Sequence, residues 1–371
     1  MTSINVLKTA VVYRGSPTEP HLRTAAFPSI AQMADGNLVA TMTIGREMNS
    51  VDVRCYASIS PDEGSTWSPP QRIFEPNESN HAVSAGIRMS QAHDGTLVGF
   101  VNLLNRTDPA APTTNRKTGG TVPREHALIR SPDGRVWSRL EPFEPPLDWH
   151  CFGEPSPVLA LSASRWLLPS LTRLNWEGQC PYGLKSFVMI SEDQGKTWPQ
   201  SVDVFNLWSK RIITWEQKQT QLTDGRILAV TWAFNDETKE NLPNLYTFSE
   251  DEGRSYEAPL HSPLHGQTCT PKATAGNQIL CVYRRLDKNG LWAHLAQIKG
   301  PDWIPLAETC LWGNDREAIP GGVDSSIQNM HALQFGYPQV IRLRSGDFFV
   351  VFWAVEEGLS IIRSFRLQIA D

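Results

Sequence analysis

One turn-forming segment reads Ser191-Glu192-Asp193-Gln194-Gly195-Lys196-Thr197-Trp198, and it follows the apolar run 187–190. Its pattern is S-x-D-x-G-x-T-W. Ser and Asp side chains at such positions bind nearby backbone N–H groups, and Gly readily adopts a positive φ. The aromatic residue then returns to an apolar layer. The segment therefore predicts a tight turn between two antiparallel strands.

The same turn recurs along the chain. A second full copy occupies residues 60–67, and two degenerate copies occupy 131–137 and 249–256. A second repeat consists of an apolar strand, an Asp-Gly-like turn and another apolar strand. Its six turns lie at Asp35-Gly36, Asp94-Gly95, Ser164-Arg165, Asp224-Gly225, Gly276-Asn277 and Ser345-Gly346. Six strand-rich units in series predict a β-propeller with one blade per unit.

Both ends of the chain carry strand-like runs, 6–13 and 360–369, that belong to none of these units. Because a propeller commonly joins its two ends in one blade, we expect 7–13 to pair with the last blade. Helix signals are poor throughout. The sequence thus predicts an all-β fold in which residues 1–371 form a single six-bladed β-propeller domain with four-stranded antiparallel blades.

The composition limits the kinds of molecule that this protein is expected to bind. The net charge of −5 argues against a nucleic-acid-binding surface. No apolar run reaches the length of a membrane span, and the N-terminus lacks a signal-peptide pattern, so we expect a cytoplasmic protein unless a leader has been removed. The six cysteines form no C-x-x-C pair. No recurrent His–carboxylate spacing indicates a metal site, and we expect no cofactor.

The repeated S-x-D-x-G-x-T-W turn resembles the Asp-box of sialidases and related β-propellers. In that family the Asp-boxes are structural turns on the outside of the blades, and the substrate binds in the central funnel. The resemblance implies a glycoside hydrolase that acts on a carbohydrate, and it covers the whole chain at the level of the fold.

The resemblance also implies catalytic residues. The family uses an Asp as acid/base and a Tyr–Glu pair as nucleophile. Asp52 precedes the run that leads into the first Asp-box, where the acid/base falls. Glu216 opens the fourth unit, where the family's Glu falls, and Tyr337 opens the sixth unit, where the nucleophile falls. We predict that these three side chains converge at one end of the propeller.

The family's arginine clamp is incomplete in this chain. The Arg-Ile-Pro motif reads Ala26-Phe27-Pro28, with Arg23 as the nearest substitute, and the middle arginine is replaced by the run 231–234. Arg284 or Arg285 resembles a later arginine of the clamp, and Glu356 resembles the carboxylate that steadies the first. Since a guanidinium fork is not readily replaced by other residues, the substrate is expected to be an acidic or non-standard sugar rather than ordinary sialic acid.

Polar residues recur near the strand entries of several units, and we take them as candidates for substrate binding. The full set is Arg23, His81, Arg88, His150, Glu154, Arg284, Arg285 and Glu356. The polar segment 105–124 is long for a hairpin and is also a functional candidate.

Two alternatives stay open. A lyase could use His81, His150 and Glu154, with His331, since a histidine can abstract a proton near neutral pH. A non-catalytic carbohydrate-binding propeller could instead use tryptophans as stacking platforms. The candidates are Trp149, Trp176, Trp215, Trp232 and Trp353.

Overall fold

The structure, a computed structural model, describes residues 2–75, 83–153, 156–314 and 334–370. Within these residues the chain forms 25 strands, arranged in six antiparallel sheets, and three short 3₁₀ helices. The helices are η1 (Pro20–Leu22), η2 (Trp208–Lys210) and η3 (Ala275–Asn277). The prediction of an all-β fold with six blades is confirmed. No helix in the described ranges is long and apolar enough to span a membrane.

The first three blades are built from strands that follow one another in the chain. Blade 1 contains β2 (Thr24–Gln32), β3 (Leu38–Gly45), β4 (Arg54–Ser60) and β5 (Gln71–Arg72). Blade 2 contains β6 (Val83–Gln91), β7 (Leu97–Asn105), β8 (Arg124–Ser131) and β9 (Glu141–Pro142). Blade 3 contains β10 (Phe152–Gly153), β11 (Leu159–Ala160), β12 (Trp166–Thr172), β13 (Ser186–Ser191) and β14 (Gln200–Phe205). In blade 3 both short segments, β10 and β11, pair with β12.

The remaining blades complete the ring. Blade 4 contains β15 (Ile212–Gln221), β16 (Ile227–Asn235), β17 (Glu240–Ser249) and β18 (Leu260–His261). Blade 5 contains β19 (Gly266–Ala273), β20 (Gln278–Arg285), β21 (Leu291–Lys299) and β22 (Asp302–Trp312). Blade 6 contains β23 (Phe335–Arg342), β24 (Phe348–Glu356), β25 (Leu359–Ala370) and β1 (Ser3–Arg14). β1 pairs antiparallel with β25, from Ser3 opposite Ala370 to Arg14 opposite Ile361, so the two chain ends share one blade.

The apolar core lies between neighbouring blades. One cluster joins Leu280 and Leu295 of blade 5 to Val350 and Phe352 of blade 6, and others of this kind join the remaining consecutive pairs. This is why the strands read as nearly continuous apolar runs: each sheet is covered on both faces. We call the strand that begins each blade its first strand. The packed interfaces fix the six first strands around a common axis.

The Asp-boxes form the turns that the sequence predicts. In the third one, Ser191 Oγ accepts from the N–H of Gly195 at 2.8 Å, and Asp193 accepts from the N–H and hydroxyl of Thr197 at 2.9 and 2.7 Å. Gly195 has a φ of +78°. A Cβ at this position would lie 2.6 Å from Leu128 of the neighbouring blade. The box therefore holds one blade against the next.

Asp193→Ala should lower the free energy of unfolding by about 0.5–2 kcal/mol, since it removes a side chain that satisfies a turn. The turnover of the folded fraction should not change, because the turn is structural. Chemical denaturation measures the first quantity and steady-state kinetics the second. Glu144→Ala, at an exposed position outside the boxes, is the control. A folded but inactive Asp193→Ala protein would contradict the structural role.

Candidate functional site

Four first strands carry the same irregularity. In β2, β15, β19 and β23, two consecutive residues lie opposite a single residue of the next strand, which is a β-bulge. The first residue of each bulge has a positive φ: Phe27 (+52°), Glu216 (+56°), Thr268 (+56°) and Tyr337 (+52°). For a residue with a side chain, this conformation costs about 1–2 kcal/mol. Such strain is concentrated at functional sites, and four equivalent cases mark this end of the propeller.

A cavity of about 230 Å³ opens at this end, and three of the four bulge side chains line it. Phe27, Glu216 and Tyr337 come from blades 1, 4 and 6. The other lining residues are Thr43, Met48, Asn49, Val53, Ser84, Ala85, Gly86, Arg88, Leu104, Thr113, Thr114, Thr121, Arg124, Leu171, Arg173, Trp215 and Trp232. We call this cavity the funnel. Its described lining contains three arginines and one carboxylate.

Tyr337 lines the funnel and is only 5% exposed. Its ring packs edge-on against Phe27, with 5.3 Å between the ring centres. The guanidinium carbon of Arg88 lies 4.2 Å from the centre of the tyrosine ring, and Lys218 Nζ lies 4.4 Å from it. Two cations, from blades 2 and 4, therefore contact one aromatic ring.

Glu216 is partly buried, and its Oε2 accepts a hydrogen bond from the N–H of Thr268 at 3.0 Å. The bulge of blade 5 thus orients the carboxylate of the preceding blade, blade 4. Burial lowers the pKa of Lys218 to about 7 and that of Arg284 to about 10, and the negative charge of Glu216 opposes both shifts. Glu216 is therefore the carboxylate that acts on the buried cations below the funnel.

Arg284 supports the funnel from behind. It is 4% exposed, donates to the carbonyl of Phe335 at 2.8 Å, and also donates to the side chain of Gln267. A Cβ on Gly336 would lie 3.1 Å from its Nη1. Arg284 therefore holds the backbone that precedes Tyr337 and does not line the cavity.

Segment 105–124 forms one side of the funnel. Thr113, Thr114 and Thr121 line the cavity. The N–H of Thr121 donates to the carbonyl of Leu174 at 2.9 Å, and Asn115 Nδ2 donates to the carbonyl of Trp176 at 3.0 Å. The segment is therefore tied to blade 3, and three of its threonines line the cavity.

An aromatic wall stands on blade 4. The ring centres of Trp215 and Trp232 lie 4.6 Å apart, and Phe234 stacks on Trp215 at 5.4 Å. Trp232 Nε1 donates to Asn241 at 2.7 Å, which fixes the orientation of the indole. Two of its three rings, Trp232 and Phe234, lie in the run 231–234, where the sialidase resemblance would place an arginine.

The sequence matches no protein-family model and no curated protein. Its fold superimposes on a protein of unknown function from Dyadobacter fermentans DSM 18053 over 99% of both chains, with a TM-score of 0.72 and 19% identity. It also superimposes on the NanB sialidase from Streptococcus pneumoniae, covering 97% of this chain and 70% of that one, with a TM-score of 0.67 and 13% identity. The chain is a sialidase-like six-bladed β-propeller.

A third likeness, to Trypanosoma rangeli sialidase, has a TM-score of 0.63 and 14% identity, and covers 93% of this chain and 55% of that one. The propeller therefore spans about half the length of that enzyme. At these identities the likenesses establish the fold, and the residues of the funnel have to carry any argument about chemistry.

The sialidase-like propeller brings together Glu216, Tyr337 and Arg88 of the predicted site. Asp52 is not among the described lining residues. Its carboxylate accepts from the N–H of Arg46 at 3.2 and 3.4 Å, within the turn that contains the lining residues Met48 and Val53. Its role as acid/base stays a prediction.

Four further candidates lie elsewhere in the propeller. Arg285 forms ion pairs with Asp287 and Glu308, and Glu356 pairs with Arg363 at the outer side of β24. Arg23 and His150 are exposed. None of these four lines the funnel within the described part of the chain, because their side chains point toward local partners or solvent. Three other candidates, His81, Glu154 and His331, fall outside the described residues.

Sequence reasoning missed Arg124, Arg173 and Lys218. Arg124 begins β8, Arg173 follows β12, and neither opens a first strand, so the repeat did not indicate them. Lys218 gave a clearer signal, since it is a lysine inside a first strand that is otherwise uncharged after Glu216. In the described ranges no group of three or more His, Cys, Asp or Glu side chains could hold a metal ion.

Proposed function

We propose that this propeller is a glycoside hydrolase that cleaves an acidic glycan in its funnel. The observation that carries the proposal is the shared cavity of Glu216 and Tyr337, which occupy equivalent strained positions on blades 4 and 6, with Arg88, Arg124 and Arg173. The sialidase-like fold supports it, because sialidases with this architecture act on carbohydrates. A plain packed core would not require a carboxylate and a tyrosine at such bulges.

The charges of the lining favour an anionic substrate. Three arginines are among the residues that line the cavity, and Glu216 is the carboxylate among the described lining residues. Guanidinium groups recognise carboxylates through paired, charge-assisted hydrogen bonds. Since the arginines come from blades 2 and 3, the acidic group of the sugar would point toward those blades. The opposite wall, with Trp215 and Trp232, offers an apolar surface for the sugar ring.

The proposed reaction proceeds in two steps. Tyr337 Oη attacks the anomeric carbon while its proton moves to Glu216, and the bond to the leaving group breaks as Asp52 protonates the departing oxygen. Water then attacks the glycosyl–tyrosine intermediate with Asp52 as base, and Tyr337 recovers its proton from Glu216. A tyrosine is a poor nucleophile at its ordinary pKa of about 10, so an adjacent base is required.

A panel of aryl glycosides tests the function. Each acidic glycoside is paired with its methyl ester, so that only the charge differs. We expect the wild-type protein to release the aryl group from at least one acidic member, and much more slowly from its ester. Binding without release would favour a carbohydrate-binding propeller, and an unsaturated product absorbing in the ultraviolet would indicate a lyase. Either outcome would overturn the proposal.

Arg173→Met should raise KM for the acidic glycoside by about 10–100-fold, since one charge-assisted hydrogen bond contributes about 1.5–3 kcal/mol. The KM for the matched methyl ester should change much less. Steady-state kinetics on both substrates measures the difference, and thermal unfolding checks the fold. Arg139→Met, at an exposed position, is the matched control. Equal losses on both substrates would exclude a role in recognising the charge.

A further inference from the structure

Lys218 is a buried lysine that the reaction above does not use. It lies on β15, two residues after Glu216, and is 2% exposed. Within the described chain no carboxylate forms an ion pair with its Nζ. A buried ammonium group is costly unless its surroundings compensate for lost hydration, and an apolar residue of similar length would fill this place more cheaply. The position of Lys218 therefore needs an explanation.

The lysine is tied to the bulge that carries Tyr337. Its Nζ donates to Thr270 Oγ1 at 2.7 Å and to the carbonyl of Pro338 at 3.2 Å. Thr270 Oγ1 also donates a hydrogen bond to the Pro338 carbonyl, at 2.5 Å. Residues of blades 4, 5 and 6 thus meet at the peptide between Pro338 and Gln339, one peptide after Tyr337. The ammonium group fixes this backbone while it contacts the tyrosine ring.

The charges around Tyr337 act in opposite directions. Burial and the nearby Glu216 both oppose a negative charge on the phenol. Arg88 and Lys218, within 4.2 and 4.4 Å of the ring centre, favour it. A cation over a neutral ring is attracted by about 0.5–2 kcal/mol, and the attraction grows when the ring carries a full negative charge. The pair of cations is placed to offset the two unfavourable effects.

We propose that Lys218 is a positioning residue that, together with Arg88, holds the Tyr337 ring and stabilises its phenolate as the proton leaves for Glu216. The proposal rests on the hydrolase function above, and it adds a second requirement to it. Glu216 removes the proton, and the cations lower the free energy of the resulting anion. Lys218 itself makes no bond to substrate.

The protonation of Lys218 is coupled to the proposed ionisation of Tyr337. Burial lowers its pKa to about 7, Glu216 opposes the shift, and Arg88 deepens it; the buried thiol of Cys269 also faces it. A phenolate next to the ammonium group would raise the pKa of Lys218 again, so the two ionisations support each other. On β20, Arg284 adds a third positive charge behind the same bulge.

The test is a pH titration of the ultraviolet absorbance of the tyrosine phenolate. The difference between wild type and Tyr337→Phe isolates Tyr337 from the other tyrosines. In Lys218→Met, compared with the double variant that also carries Tyr337→Phe, the midpoint should rise by about one pH unit, a tenfold change in the ionisation constant. Thr270→Val, which removes a hydrogen bond to Nζ but keeps the charge, is the control and should shift it far less. An unchanged midpoint in Lys218→Met would overturn the proposal.

This measurement needs no substrate, so it separates the inference from the proposed function. If no glycoside is cleaved, the midpoints still decide whether Lys218 stabilises the phenolate. If glycosides are cleaved, Lys218→Met should lower kcat about tenfold with little change in KM. Should Lys218→Met fail to fold, Lys218→Gln takes its place, because it keeps a hydrogen-bond donor and removes the charge. Its midpoint for Tyr337 should also rise by about one pH unit, and an unchanged midpoint would refute the stabilisation.

Discussion

Tyr337→Phe is expected to lower kcat for the acidic glycoside by at least about 100-fold, which corresponds to roughly 2.7 kcal/mol in the activation barrier. The substitution removes one oxygen atom and leaves the ring in place. The contacts of the ring with Phe27, Arg88 and Lys218 are therefore retained, and the melting temperature should not change. Steady-state kinetics and thermal unfolding on the same preparation measure the two quantities.

The matched control is Tyr182→Phe, which removes a hydroxyl group from a loop residue outside the described lining of the funnel. It should leave kcat unchanged. A further check uses a slowly released fluoroglycoside, which should label the wild-type protein covalently and should not label Tyr337→Phe. Near-normal turnover in Tyr337→Phe would exclude this nucleophile, and it would return attention to a lyase mechanism that uses His150.

The fold could be predicted because its signals are local and repeated. Each Asp-box needs only a Ser, an Asp and a Gly within one turn, and the hydrogen bonds of Ser191 and Asp193 form as that pattern requires. The close approach of Gly195 to Leu128 is not local, yet the same glycine that permits a positive φ also permits this contact. Two full copies and two degenerate ones were enough to identify the repeat, since each departure in one copy is compensated by the others.

The site was only partly predictable. Glu216 and Tyr337 were predicted as site residues because the resemblance places the family's Glu and Tyr at the start of the fourth and sixth units. In the structure both lie inside first strands, at equivalent bulges of β15 and β23. The β-bulges that turn them into the funnel have no sequence signature: Thr268 and Phe27 adopt the same strained φ with unrelated side chains. The choice between Arg284 and Arg285 was likewise undecidable, because adjacent strand residues face opposite sides and the bulge of β19 changes the register.

The three arginines that line the funnel show most clearly what could not be predicted from the sequence. Arg88 lies in a first strand and was a candidate. Arg124 begins β8 after a long loop, and Arg173 directly follows β12 of blade 3. Hydrogen bonds between segment 105–124 and the backbone of residues 174–176 join blades 2 and 3 next to Arg124 and Arg173. Such convergence depends on a tertiary contact between blades 2 and 3, and no periodicity in the sequence reports it.

Glu216→Gln should lower kcat by about 100–10,000-fold, the range that a general base contributes. The amide oxygen can still accept from the N–H of Thr268, so the side chain should keep its place. Loss of the negative charge should also lower the pKa of Lys218 below its value of about 7, because Glu216 raises that pKa. The phenolate would then lose both its proton acceptor and a charged neighbour at neutral pH. Glu237→Gln, at an exposed position, is the control.

The double variant Glu216→Gln/Tyr337→Phe gives the sharpest test of the pair. If Glu216 acts by taking the proton of Tyr337, removing the hydroxyl leaves the carboxylate with nothing to accept. The double variant should then be about as slow as Tyr337→Phe alone, as is found for catalytic groups that work as one unit. Multiplied losses would show that the two residues act independently. In that case Glu216 would belong to substrate binding, and the nucleophile would need another base.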